Sequence, residues 1–136
     1  MRRKEFKIED RNEIEKFLNK MSFGFIGTAS SDDFPNIVPL NYIWALGNIY
    51  FHGARTGRKV NELKQNANVT FAVADEVALI PSYFNDEKYA CPATSFFKSV
   101  IVYGSLEFVI DMEEKIFALD LFMKKVFIYI YITVYF

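Results

Sequence analysis

The stretch YFHGARTGRK, residues 50–59, joins the end of a predicted strand to the start of a predicted helix through a turn that contains glycine. Arg55, Arg58 and Lys59 place cations at the helix N-terminus, where the helix dipole is already positive and carboxylates are favoured. A bound phosphate removes this conflict, because free backbone N–H groups, guanidinium and ammonium together form an anion site. We therefore predict a phosphate site here. Solvated side chains on an exposed helix are the alternative.

The same stretch does not match the common loops that bind nucleoside triphosphates or dinucleotides. Gly53 and Gly57 lack the following Lys-Ser or Lys-Thr of a Walker loop, and no dinucleotide fingerprint follows a parallel strand. His52, the only histidine, ends the predicted strand, so its imidazole is a candidate to hydrogen-bond a ligand or to relay a proton. A histidine bonded to a loop carbonyl fits the sequence equally well.

Outward from this stretch, hydrophobic periodicity predicts alternating helices and strands. We predict helices over residues 11–20 and 58–66 and after Asp111, which can cap the last helix. We predict strands over residues 23–29, 37–44, 49–52, 69–73 and 97–109, with a polar turn at residues 30–33 and an ordered loop at residues 81–94. Pro39 implies an edge position, a bulge or a break, because proline cannot donate to a ladder.

The end of the chain, residues 126–136, has no charge, glycine or proline and alternates aliphatic with aromatic residues. It is shorter than the roughly 20 apolar residues that a membrane-spanning helix needs. We therefore predict a buried final strand over these residues.

Length and composition predict one domain over residues 1–136 that needs no disulfide or metal. Sixteen Lys and Arg face seventeen Asp and Glu, so overall charge indicates no nucleic-acid partner. Cys91 is the only cysteine, which indicates a reducing compartment, and no apolar run follows the basic N-terminus as in a secretory signal. We predict a cytoplasmic protein without a membrane or metal site. Paired carboxylates for hydrolysis are also absent from the sequence pattern, and a nucleophilic role for Cys91 is disfavoured.

Four motifs in order, at residues 38–42 (VPLNY), 50–54 (YFHGA), 57–59 (GRK) and 99–104 (SVIVYG), carry a resemblance to a known family. The chain resembles the flavin-binding split-barrel proteins related to pyridoxamine phosphate oxidase, and within them the nitroimidazole-resistance proteins, from its N-terminus to about Lys125. The resemblance implies a mainly β fold with short helices, an antiparallel six-stranded split β-barrel. It also implies a homodimer that binds flavin mononucleotide (FMN) in two clefts between the subunits, with the dinucleotide FAD as the alternative.

The resemblance also implies roles for individual residues. Arg58 and Lys59 would hold the phosphate with help from Arg55, and His52 would be the candidate catalytic residue. The full set of implied cofactor-binding residues is Val38, Pro39, Leu40, Asn41, His52, Gly53, Ala54, Arg55, Arg58, Lys59, Ser99 and Val100, of which Ser99 and Val100 would reach the flavin from the partner subunit.

The function implied is reduction of nitroaromatic or related small molecules with electrons from a reduced nicotinamide. The acceptor would stack on the flavin among Tyr42, Trp44 and Tyr103. Two alternatives stay open: a flavin carrier or sensor without turnover, and a split barrel that binds haem or deazaflavin.

Overall fold

The computed structural model describes residues 3–29, 34–84, 88–89 and 93–133, with side chains described as far as Lys125. Its main elements are α1 (Arg11–Lys20), β1 (Phe23–Thr28), β2 (Asn36–Asn41), β3 (Ile43–Ala45), β4 (Asn48–Tyr50), α2 (Arg58–Gln65), β5 (Asn68–Ile80), β6 (Thr94–Ser105) and α3 (Met112–Thr133). The predicted helix starts and strand positions are confirmed, although several strands end elsewhere. The predicted turn at residues 30–33 and Cys91 lie outside the described residues.

The strands form two antiparallel sheets. One sheet has the order β2-β1-β5-β6, and β3 pairs with β4 in a separate hairpin. The resemblance implied six strands, and the described residues supply them, but they close no barrel. Leu46 and Gly47 have φ angles of 52° and 78°, which is the left-handed backbone that a tight hairpin turn requires.

The four-stranded sheet buries one face and exposes the other. Ile26, Leu40, Phe71 and Val73 point into a core that also contains Leu18 and Tyr42. On the opposite face the strand alternation presents large apolar side chains to solvent: Phe23, Phe25, Ile37, Ile101 and Tyr103. We call these five residues and the backbone between them the outer face.

The β5–β6 pair extends beyond the rest of the sheet. β1 pairs with β5 only as far as Ala72, whereas the β5–β6 ladder continues to Ile80 and Thr94. Residues 74–80 and 94–99 therefore form a two-stranded arm. An isolated hairpin is marginally stable in water, and two ion pairs, Lys20–Asp75 at 3.0 Å and Lys98–Glu13 at 2.8 Å, join the base of the arm to α1.

Pro39 lies on β2, the edge strand of the sheet, opposite Phe25. The edge alternative predicted from proline is therefore confirmed. The break between β2 and β3 comes later, at Tyr42, whose backbone N–H donates to Ser22 O at 3.2 Å. The Tyr42 side chain is fully buried, and its hydroxyl donates to Leu18 O at 2.8 Å. This residue thus ties the end of the first hairpin to α1.

The prediction of a final strand over residues 126–136 is wrong. The backbone continues α3 without interruption as far as Thr133, and residues 134–136 lie outside the described residues. Asp111 caps this helix as predicted, since its carboxylate accepts from Glu114 N at 2.8 Å. Helix elongation is cooperative, and the segment contains no glycine or proline to stop it, so local hydrogen bonding overrides the period-two pattern.

α3 packs against β3, β4 and the end of α1 with a face that carries both polar and apolar side chains. Lys125 donates to Met21 O at 2.7 Å and to Tyr42 O at 3.3 Å, and its ammonium lies 4.9 Å from the centre of the Tyr42 ring. Burial lowers the Lys125 pKa from its ordinary value of 10.5. Four apolar residues that recur at helical spacing instead face solvent: Met112, Ile116, Leu119 and Met123.

Candidate functional site

The stretch 50–59 forms the exposed connection from β4 to α2. α2 begins at Arg58 after Gly57, whose φ of 113° lies in the region that favours glycine. No side chain caps this helix N-terminus. The first N–H groups of α2 therefore lack the side-chain acceptor that usually satisfies them, which is compatible with an anion there.

Arg58 is held in place by a buried carboxylate. Its Nε donates to Glu62 Oε1 at 2.7 Å, and its Nη2 donates to Phe34 O at 3.2 Å. The Glu62 side chain is only 6% exposed, whereas the Arg58 side chain is 51% exposed. Glu62 also accepts from Thr28 Oγ1 at 2.6 Å and from Asn36 Nδ2 at 2.8 Å. The network therefore links α2 to β1 and β2.

Glu62 lowers the net positive charge that a phosphate would meet at the start of α2. Arg58 has an anionic partner four residues further along α2, so part of the positive charge at the helix start is already offset. The spacing of four residues between Arg58 and Glu62 was the sequence signal for this pair. The Arg58 side chain nevertheless stays half exposed.

Lys59 and Gly53 approach each other closely. Lys59 Nζ lies 5.1 Å from the centre of the Phe51 ring and 3.2 Å from the position that a Cβ on Gly53 would occupy. Glycine at position 53 thus leaves room for the ammonium group. Ala54 and Arg55 lie in the same exposed loop.

His52 is exposed and rests against α3. Its ring makes an edge-on contact with Phe122, with 4.8 Å between the ring centres. Beside it, the Tyr50 hydroxyl donates to Glu114 Oε1 at 3.0 Å, and burial together with this bond raises the Tyr50 pKa. Two contacts with α3 therefore fix the strand end that leads into the loop.

The predicted flavin-lining residues fall on two faces of the sheet. The side chains of Pro39, Asn41 and Ser99 are exposed, whereas Val38, Leu40 and Val100 belong to the core or pack against it. Contacts from the second group to a ligand would have to come from their backbone atoms. Cofactor binding by these residues stays a prediction.

Within one chain the structure does not bring Tyr42, Trp44 and Tyr103 together, and the acceptor site expected among them stays a prediction. Tyr42 is fully buried and Trp44 packs against the core, whereas Tyr103 is 78% exposed on the outer face. Sequence order could not show that the sheet separates them.

An open groove of about 760 Å³ runs along the outer face. Its lining is mostly apolar and includes Phe25, Gly27, Ile37, Thr70, Ala72 and Tyr103. It also reaches Thr28, whose hydroxyl bonds Glu62. The groove and the Arg58–Glu62 pair are thus joined by the same end of β1. Small-molecule sites commonly combine apolar surface with a few polar groups, and this groove has both.

Among the described residues, no group of three histidine, cysteine or acidic side chains could hold a metal ion. In the same part of the chain, no helix is long and apolar enough to cross a membrane.

The fold is of the mainly antiparallel β class with short helices, and a glycine-cation stretch starts its second helix. The family model described as "Pyridoxamine 5'-phosphate oxidase" matches residues 10–129. The chain belongs to this family, which confirms the resemblance seen in the sequence, and the split-barrel fold class is confirmed with it. No curated protein sequence matches the chain at a significant level.

Solved structures support the same fold. A protein from Bacteroides thetaiotaomicron, provisionally named a 5-nitroimidazole antibiotic resistance protein, is 29% identical with a TM-score of 0.72, covering 86% of this chain and 66% of its own. A flavocytochrome from Azotobacter vinelandii is 20% identical with a TM-score of 0.71, covering 85% and 51%. An FAD-binding protein from Mycobacterium smegmatis is 23% identical with a TM-score of 0.63, covering 84% and 80%. The chain thus spans 66% of the length of the Bacteroides protein and 51% of the length of the flavocytochrome.

Proposed function

We propose that this protein binds FMN, with the phosphate at the start of α2, and reduces nitroaromatic or related small molecules with electrons from a reduced nicotinamide. The observation that carries the proposal is the uncapped N-terminus of α2, where Arg58 is fixed by Glu62 yet half exposed and Lys59 lies beside it. The family and the 29% identity to the Bacteroides protein support the same conclusion.

In this proposal the chain binds and orients, while the flavin supplies the redox chemistry when it is bound. Arg58, Lys59 and the first N–H groups of α2 hold the terminal phosphate, with Arg55 close by in the loop. The groove on the outer face offers apolar surface to a planar ring. His52 is proposed as a hydrogen-bonding group near the cofactor, positioned through Phe122. FMN is favoured over FAD because the start of α2 resembles a site for one terminal phosphate.

The proposal includes a homodimer. The outer face and the arm expose apolar side chains that a monomer would leave in water, and exposed patches of this kind are typical of protein interfaces. A second copy of the chain would cover the groove and exclude water from a ring bound there. Ser99 and Val100 on β6 would then contribute from the partner subunit.

The first experiment is the visible spectrum of the purified protein, followed by acid release and chromatography of the cofactor, which separates FMN, FAD and haem. The double substitution Arg58→Ala with Lys59→Ala should weaken FMN binding by roughly 100-fold or more, because two charge-assisted bonds to phosphate are lost. The matched control is Arg11→Ala with Lys20→Ala on α1, which removes the same charge. Equal FMN affinity in both double variants would contradict the phosphate site.

Turnover is tested separately from binding. Oxidation of a reduced nicotinamide that depends on an added nitroaromatic compound supports the reductase. Stable flavin binding without such turnover would instead establish the carrier or sensor alternative. The dimer is tested by sedimentation, where Tyr103→Asp on the outer face should shift the protein toward monomer. Leu46→Asp, at an equally exposed apolar residue in the β3–β4 turn, should not.

A further inference from the structure

Thr28 and Asn36 stand directly opposite each other in the β1–β2 ladder, so their side chains leave the sheet on the same face. Both donate to a single oxygen of Glu62, Oε2, at 2.6 Å and 2.8 Å. The other oxygen, Oε1, accepts from Arg58 Nε at 2.7 Å. Oε2 therefore joins Glu62 to the sheet, and Oε1 joins it to Arg58.

A buried carboxylate is costly unless its hydrogen-bonding capacity is satisfied. Here a cross-strand pair satisfies it, and both donors are on regular secondary structure. The result is a guanidinium anchored through Nε to a rigid support and through Nη2 to Phe34 O at 3.2 Å, while about half of the side chain, 51%, is exposed at the start of α2. Anchoring of this kind reduces the conformational entropy that an arginine loses when it binds an anion.

From this geometry we propose that Glu62 is a positioning residue, which holds the Arg58 side chain at the start of α2, where the anionic group would bind. The inference rests on the proposed function, because the anion in question is the phosphate of FMN. Glu62 acts only through Arg58 and touches no ligand. The competing explanation is repulsion: if the Glu62 carboxylate weakened phosphate binding, removal of its charge would strengthen that binding.

The test compares the affinities of the apoprotein for FMN and for riboflavin, which lacks the phosphate. Glu62→Gln should weaken FMN binding by about tenfold, the value of one charge-assisted hydrogen bond, and leave riboflavin binding nearly unchanged. In an Arg58→Ala background the same substitution should cause no further change in the ratio of the two affinities. The control is Glu15→Gln, because Glu15 forms a pair of the same spacing with Arg11, at 2.9 Å on α1.

Several results would overturn the inference. Equal losses for FMN and riboflavin would make Glu62 a structural tie only, and tighter FMN binding would show repulsion. If Glu62→Gln does not fold, Thr28→Val keeps both Glu62 and Arg58, and it should still lower the preference for FMN by about threefold; no selective loss there would refute positioning. A wild-type protein that binds FMN no better than riboflavin would refute the phosphate site itself, and the inference with it.

Discussion

Replacing Gly24 with alanine should destabilise the protein, because the phenyl ring of Phe71 occupies the space that a Cβ would need. A Cβ on Gly24 would lie 2.5 Å from Phe71 Cζ, 2.8 Å from Cε1 and 3.0 Å from Ala72 O. Relief requires movement of a buried ring or of the neighbouring strand, and Phe71 also contacts the buried Tyr42 ring, with 4.9 Å between their centres. Overpacking of this kind costs about 1–3 kcal/mol.

The measurement is the free energy of unfolding in urea at a fixed protein concentration, because dimerisation would make the stability depend on concentration. Gly27→Ala is the matched control on the same strand, since its nearest contact would be Thr70 O at 3.6 Å, an ordinary van der Waals distance. The control should be neutral or stabilised by about 0.4–1 kcal/mol, because alanine lowers the entropy of the unfolded chain.

A second variant identifies the cause. Phe71→Leu removes the atoms that approach Gly24, so Gly24→Ala should cost less in that background than in the wild type. If Gly24→Ala is as stable as Gly27→Ala, or if its cost is unchanged when Phe71 is leucine, the packing of β1 against β5 is not as described.

Three further predictions concern hydrogen bonds and charges. Tyr42→Phe should cost about 1 kcal/mol at neutral pH through the lost bond to Leu18 O. Burial raises the Tyr42 pKa to about 12 from 10.0. The stability that the neutral Tyr42 hydroxyl gives the folded state is therefore complete below pH 10 and is lost as pH rises from 10 to 12. Over that range the free energy of unfolding in urea should fall by about 2–3 kcal/mol more for the wild type than for Tyr42→Phe. Gly53→Ala should leave the melting temperature unchanged but weaken FMN binding severalfold in a fluorescence titration, because it displaces the flexible end of Lys59. Glu13→Gln should change the free energy of unfolding by less than about 1 kcal/mol, since its ion pair with Lys98 is solvent-exposed.

Short sequence motifs predicted only part of the candidate site. Glycine at position 57 and the cations after it predicted a helix start, and the structure confirms that start. The anion site expected there remains a prediction. The spacing of four residues was a sequence signal for the Arg58–Glu62 pair, but the bond between Glu62 and Thr28 had none, because the two are 34 residues apart and only the folded sheet brings them together. The anchoring of Glu62 to the sheet is therefore a property of the tertiary structure.

The end of the chain shows the opposite limit. Residues 126–136 have the alternation of a strand, but a strand exists only where an edge accepts it, whereas a helix satisfies its backbone within the segment. The described backbone follows the helix to Thr133. Period-two alternation without a pairing partner was not sufficient evidence for a strand.

By itself the sequence determined the features that depend on a few neighbouring residues: the capping of α1 and α3 by Asp10 and Asp111, the left-handed turn at Gly47, the strand alternation and the family motifs. Tertiary structure alone decided that Glu62 bonds Thr28 and Asn36, that Tyr42 is buried while Tyr103 is exposed, and how far β5 and β6 extend together. The reason is physical. Caps, turns and ion pairs within a helix form from contacts within a few residues, whereas burial and long-range bonds depend on segments that meet only when the whole chain has folded.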